Sequence, residues 1–241
     1  MHAWSLRIAA LSLLLGSASA HTAALADELS DFNAAVERAA SHQRVAIAYL
    51  RTGNVDLAAL EIDRLRQAWA AVTGVKRPAA LNRDPQLYTT TMLDIATRLV
   101  GVSIMMDSGR PENARQGLQA IRTQLTALRK ANGVEVLADC IADANATMDR
   151  LMAFNDEALD WSKQADAVAQ SGATYRTQID RCDAMADQAT RAAPEFRRLV
   201  DGLRNSLSQF PKAVAEKDTS LLRRLLVEMR SFDNLLAFRY G

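Results

Sequence analysis

Residues 45–72 read VAIAYLRTGNVDLAALEIDRLRQAWAAV and predict two amphipathic helices folded back on each other as an antiparallel hairpin. We expect Gly53 to end the first helix in a left-handed backbone conformation and Asn54 to cap the amides that open the second. After this turn the apolar residues recur at intervals of four and three, which places them on one helical face. They are Ala58, Ile62, Leu65, Trp69 and Val72. Because this face must be buried, the hairpin requires further helices around it.

The same pattern recurs twice along the chain. Gly109 lies 56 positions after Gly53 and precedes the apolar stripe Ala114, Leu118, Ile121, Leu125 and Leu128. A third hairpin turns at residues 216–218, where Asp218 is the expected cap. Its stripe is Leu222, Leu226, Met229, Phe232 and Leu236. Three hairpins of one type predict stacked or duplicated helical units, since each hairpin alone leaves an apolar face exposed.

Composition and spacing together predict an all-α fold of antiparallel helical hairpins, which form one or two up-and-down units resembling four-helix bundles. The chain has 241 residues, of which 49% are hydrophobic and only 5% aromatic, and it contains five prolines. This composition favours helices over strands and can fill a core. Residues 131–133, Ala-Asn-Gly, indicate a boundary between an N-terminal bundle, 26–131, and a C-terminal bundle, 133–241. In the second bundle, one helix is expected to end near Gly172 and the next to begin near Tyr175.

The first residues are typical of a secretory signal peptide. Arg7 precedes an apolar segment, residues 8–15, and the sequence Gly16-Ser17-Ala18-Ser19-Ala20 ends in an A-x-A cleavage pattern. The predicted signal therefore spans residues 1–20, or 1–26 if the second such pattern is cleaved. Since no later stretch is apolar for about 18 residues, we expect a periplasmic or secreted protein without a stable membrane anchor after cleavage. A formal net charge of +1 argues against a nucleic-acid partner.

The two cysteines, Cys140 and Cys182, both fall in predicted helices. An exported protein meets conditions in which thiols oxidise, so the sequence is compatible with a disulfide that joins the two helices. Two buried free thiols are the alternative. Because the cysteines lack C-x-x-C spacing, a redox-active pair is not expected.

Motifs for catalysis are absent from the sequence. It contains no G-x-G-x-x-G or G-x-x-x-x-G-K-[ST] for phosphates, no G-x-S-x-G and no H-E-x-x-H. We therefore expect a protein that is not an enzyme and carries no cofactor. A binding or assembly role in the periplasm, with another periplasmic protein or a small molecule as partner, is the main hypothesis.

The alternative hypothesis is a non-covalent haem or metal carrier. His42 shares a predicted helix face with Ala35, Ala39 and Ala46, whose small side chains leave room for a flat cofactor. Met105 or Met106 would supply a thioether opposite the histidine. A hydrogen-bonded structural histidine and core methionines are the competing interpretation. His21, if it becomes the amino-terminal residue after cleavage, would be a copper ligand through its amine and ring.

The ending SLLRRLLVEMRSFDNLLAFRYG, residues 220–241, resembles the closing helix of the cytochrome c-prime family. In that family the helix ends with C-x-x-C-H-x-x-[FY]-[RK]. Aligned on Phe238 and Arg239, the two cysteine positions hold Ser231 and Asn234, and the axial histidine position holds Leu235. The resemblance implies a periplasmic four-helix bundle that lacks the family's covalent haem attachments and axial ligand.

A second resemblance is to the helical pairs of tetratricopeptide repeats. Tyr49, Gly53 and Ala58 have the offsets of the tyrosine, glycine and alanine of that repeat, and Gly109 and Ala114 repeat the latter two. That family stacks its pairs at a shorter interval, about 34 residues, than the one found here. This resemblance also implies helical hairpins.

Overall fold

The structure is a computed structural model that describes the backbone from residue 9 and the side chains from residue 28 to residue 241. The predicted signal peptide and His21 lie outside the residues whose side chains are described. Residues 9–241 are almost entirely helical and contain no strand, which confirms the all-α prediction. Among these residues, no helix combines the length and the apolarity needed to cross a bilayer.

The chain divides into two compact units, residues 1–134 and residues 135–241. Unit 1 contains α1 (Ala9–Arg51), α2 (Val55–Gly74), a 3-10 turn (Ala79–Leu81), α3 (Pro85–Asp107) and α4 (Pro111–Asn132). Helix α1 packs against α2 and α4, and α3 packs against the same two helices. The four helices therefore surround one core, with α1 and α3 on the diagonal. The largest fully buried side chains of this core include Ile62, Leu65, Ile95, Leu118 and Ile121, so the predicted stripes do point inward.

Unit 2 contains α5 (Leu137–Leu151), a 3-10 turn (Met152–Phe154), α6 (Trp161–Met185), the short α7 (Gln188–Ala192), α8 (Pro194–Ala215) and α9 (Thr219–Tyr240). Helix α5 packs against α6 and α9, and α8 packs against the same two, so four long helices again surround a core. Its fully buried members include Tyr175, Phe196, Ile141 and Met148.

The three predicted hairpin turns use a residue in the left-handed region. Gly53 and Gly109 have φ angles of +76° and +67°, as expected, whereas Lys217 takes this conformation in the third turn with φ +53°. Asp218 caps α9 by accepting a hydrogen bond from the amide of Leu221. The expected cap at Asn54 is wrong, because its side chain makes no capping bond. Instead the backbone amide of Asn54 donates to the carbonyl of Tyr49 and closes the end of α1.

The predicted helix end near Gly172 is also wrong, because α6 continues without interruption from Trp161 to Met185. Gly172 is buried in the middle of this helix, and the ring of Phe210 on α8 occupies the space that a side chain would fill. Gly172 therefore allows α6 and α8 to pack closely. This packing offsets the low helix propensity of glycine, which had led to the prediction that the helix ends here.

A pair of glycine substitutions tests this interpretation. A methyl group at Gly172 would lie 2.5 Å from Cε1 of the buried Phe210 ring, so Gly172→Ala is expected to lower the free energy of unfolding by about 1–3 kcal/mol. At Gly101, inside α3, no atom lies within 4 Å of the place where a methyl group would be added. Gly101→Ala is therefore expected to raise the free energy of unfolding by about 0.5–1 kcal/mol. Urea unfolding of both variants measures the two effects. Equal changes in the two variants would contradict the packing role of Gly172.

Candidate functional site

His42, a predicted haem or metal ligand, lies at the contact between α1 and α2. Its Nδ1–H donates a hydrogen bond of 2.7 Å to Oε2 of Glu61, and the guanidinium of Arg64 donates to the other carboxylate oxygen at 2.5 Å. Burial acts to raise the pKa of Glu61, but the hydrogen bonds from His42 and Arg64 outweigh it and hold this pKa below its ordinary value. The histidine is therefore hydrogen-bonded to a carboxylate that is ionised at neutral pH.

The two methionines lie on a different side of unit 1. Met105 lines a shallow groove between α3 and α4, together with Val102 and Gly117. Met106 packs against the core of the unit. The histidine is on α1 and the methionines are near the end of α3, and these two helices are on the diagonal of the bundle. No observation supports the carrier hypothesis, and it stays a prediction.

Among residues 28–241, no group of three or more His, Cys, Asp or Glu side chains is arranged to hold a metal ion. The predicted copper ligand His21 lies outside this range and is untested.

Cys140 and Cys182 lie together in unit 2. Their sulfur atoms are 2.19 Å apart and form a disulfide that joins α5 to α6. Both residues are buried. The bond therefore holds α5 and α6 together at this point.

A buried polar cluster, which the sequence analysis missed, joins three helices of unit 2. The carboxylate of Asp233 on α9 accepts hydrogen bonds from the hydroxyl of Tyr175 on α6, at 2.8 Å, and from the amide of Asn145 on α5, at 2.5 Å. A guanidinium nitrogen of Arg230 lies 3.6 Å from the same carboxylate. Asp233 and Tyr175 are each 0% exposed.

Burial dominates the electrostatics of this cluster. It raises the pKa of the Asp233 carboxyl, although the hydrogen bonds from Tyr175 and Asn145 act in the opposite direction. Burial and the neighbouring carboxylate together raise the pKa of Tyr175 well above its ordinary value. Because solvent does not reach either group, the cluster has the properties of a structural core network rather than of a site open to a substrate.

The sequence did contain a signal for Asp233. The predicted stripe on α9 placed Phe232 in the core, but the buried position four residues after Met229 belongs to Asp233. A carboxylate three residues before Leu236, on the apolar face, indicated a buried polar group. Phe232 instead lies at the edge, where its ring covers Gly202 of α8.

A groove of 390 Å³ lies between α6 and α8 on the surface of unit 2. Its walls are mostly apolar, and one guanidinium, that of Arg176, lines it. The lining side chains from α8 include Leu207, Phe210 and Val214. This groove is the feature of unit 2 best suited to hold a small molecule, because it combines an apolar surface with one charged group.

The outer face of α3, defined by Leu93, Val100 and Ile104, is the corresponding feature of unit 1. These three side chains are 65%, 52% and 55% exposed. Asp94 and Arg98 line the groove between α3 and α4. Asp107, the exposed last residue of α3, lies three positions after Ile104, so the α3 outer face is an aliphatic stripe that ends beside a carboxylate.

Comparisons with known proteins give no assignment beyond the fold. No family model matches the chain. No curated protein and no solved structure is significantly similar to it. The class that the fold defines is therefore an all-α protein of two helical-bundle units. The resemblances to cytochrome c-prime bundles and to tetratricopeptide pairs stay predictions.

Proposed function

We propose that this chain is an exported, non-catalytic binding protein that acts in the periplasm, and that its α3 outer face docks an amphipathic helix of another protein. The exposed aliphatic stripe carries this proposal. Complete burial of an exposed aliphatic side chain contributes about 1.5–3 kcal/mol, and Leu93, Val100 and Ile104, which are 65%, 52% and 55% exposed, would each gain roughly half of that from a partner that covers them.

The geometry of the stripe favours a helix as the occupant. Leu93, Val100 and Ile104 are separated by seven and four residues, a spacing that keeps them on one line along α3. The line is about 16 Å long, or three helical turns. A partner helix with aliphatic residues at the same intervals would pack its ridges between these side chains.

Export and the absence of catalysis complete the proposal. The signal-like amino terminus and the Cys140–Cys182 disulfide are both compatible with an oxidising compartment. The buried carboxyl of Asp233, whose pKa is raised, is 0% exposed and could not reach a substrate.

Photo-crosslinking in intact cells tests the proposal. A photo-crosslinking amino acid at Val100 is expected to give one discrete adduct with a second polypeptide, while the same amino acid at Gln67, on the exposed side of α2, is expected to give none. Adding Leu93→Ser and Ile104→Ser should reduce the Val100 adduct by roughly tenfold or more, because both substitutions remove apolar area from the interface.

Leu60→Ser is the matched control, since Leu60 is an aliphatic residue on α2 that is 54% exposed. It should leave the Val100 adduct unchanged. An equal adduct at Gln67, or an adduct insensitive to the two α3 substitutions, would contradict the proposed surface. An adduct of twice the chain's own mass would identify a second copy as the occupant and replace the proposed partner.

A further inference from the structure

The groove between α6 and α8 of unit 2 contains an arginine without a counter-ion. Arg176 forms no hydrogen bond or ion pair with any residue in the described part of the chain. Two arginines of α8, Arg197 and Arg204, by contrast both bind the carboxylate of Asp183. An unpaired guanidinium beside an apolar surface is a recognition group for an anion.

The size and the lining of the groove restrict the kind of anion. Side chains of Leu207, Phe210 and Val214 form the α8 wall, and Ala169 and Ala173 contribute on α6. A volume of 390 Å³ holds about a dozen non-hydrogen atoms if each takes the share of one water molecule. Inorganic ions would leave most of this apolar surface uncovered, so the ligand must have an apolar body.

The groove is also held in place by its surroundings. The ring of Phe210 is fixed against α6 because Gly172 has no side chain. On another side of α6, Cys182 is bonded to Cys140, and Tyr175 is hydrogen-bonded to Asp233. Since both walls are positioned before any ligand arrives, binding costs little conformational ordering.

We propose that this groove binds a small amphipathic carboxylate, with an apolar body against Pro211 and Val214 and a carboxylate hydrogen-bonded to Arg176. The site lies in unit 2 and does not depend on the α3 outer face. It assigns to the chain a small-molecule ligand in addition to the proposed protein partner.

Decanoate, which has about the size that the groove admits, is the probe for calorimetry and methyl NMR on the full chain. It is expected to bind with one-to-one stoichiometry and to shift the methyl signals of Leu207 and Val214. Decyltrimethylammonium has the same chain with the opposite charge, and it should bind at least roughly tenfold more weakly, because a charge-assisted hydrogen bond is lost and a repulsion is gained.

Three variants make the test specific. Arg176→Gln should weaken decanoate binding by roughly tenfold or more, and Ala173→Phe should abolish it by filling the groove. Arg198→Gln is the matched control, because Arg198 is an exposed arginine of α8 outside the groove, and it should bind as the wild type does. Circular dichroism verifies that all three fold.

Each of four results would overturn the proposal. They are unchanged affinity in Arg176→Gln, unchanged affinity in Ala173→Phe, equal affinity for the cationic probe, and methyl shifts that fall outside the groove. None of these results bears on crosslinking at Val100, so the site in unit 2 and the proposed function can fail separately.

Discussion

Reducing the Cys140–Cys182 disulfide is expected to lower the free energy of unfolding of unit 2 by about 4 kcal/mol. The bond joins residues 42 positions apart, and closing a loop of that length removes this much conformational entropy from the unfolded chain. Unit 2 spans only residues 135–241, so the loss is a large fraction of the stability typical of such a unit, about 5–15 kcal/mol.

Peptide-resolved hydrogen exchange across a urea series measures this effect in each unit. With reductant, amides of α5 and α6 should lose protection at lower urea concentration, whereas amides of α2–α4 in unit 1 should be unaffected. The variant carrying both Cys140→Ala and Cys182→Ala is the control, because reductant should cause it no further loss. Oxidised and reduced protein that unfold at the same urea concentration would show that the bond contributes nothing to stability.

The fold class was predictable from the sequence because apolar periodicity determines which helix faces are buried. Ile62, Leu118 and Ile121 are in the core, as their spacing indicated. Turn chemistry was predictable where a glycine supplies a positive φ angle, as at Gly53. The same reasoning failed at Gly172, since local propensity cannot distinguish a helix-breaking glycine from one that allows a distant ring to pack closely.

The candidate sites were harder to predict, because each depends on residues far apart in the chain. His42 and Glu61 are 19 positions apart, and no helical repeat links them. A signal did exist in α2, where Glu61 adjoins the buried Ile62 and so indicated a carboxylate that needs a partner. Arg176 gave no such signal, because an arginine next to a core tyrosine in the sequence is usually solvated. Arg176 lines a groove only because α6 packs on α8.

Replacing the buried carboxylate of Asp233 is the second substitution with a large expected effect. Asp233→Ala removes the acceptor for both the Tyr175 hydroxyl and the Asn145 amide, and it leaves Arg230 without this carboxylate. Arg230 keeps its ion pair with Asp149, but two buried donors lose their acceptor, which costs about 1–3 kcal/mol for each of them. Tyr175→Phe removes only one hydrogen-bond donor and should cost about 1 kcal/mol. Urea unfolding, with exchange of α9 amides as the reporter, measures both. Equal losses in the two variants would show that Asp233 does not organise the cluster.

The pH dependence of the Asp233 contribution has a definite sign. Because burial raises the pKa of this carboxyl in the folded state above its unfolded value of about 3.9, the folded chain binds this proton more tightly than the unfolded chain. The contribution is therefore fully present below the unfolded pKa and is lost as the pH rises through the raised folded pKa.

Asp233→Asn removes this titration with almost no change of shape. The stability of the wild type relative to Asp233→Asn should consequently be highest in acid, fall as the pH rises from about 4, and then become constant. Unfolding of both proteins in urea at a series of pH values between acid and neutrality gives this difference directly. A difference that rises with pH would mean that the hydrogen bonds from Tyr175 and Asn145 outweigh burial and lower the folded pKa instead.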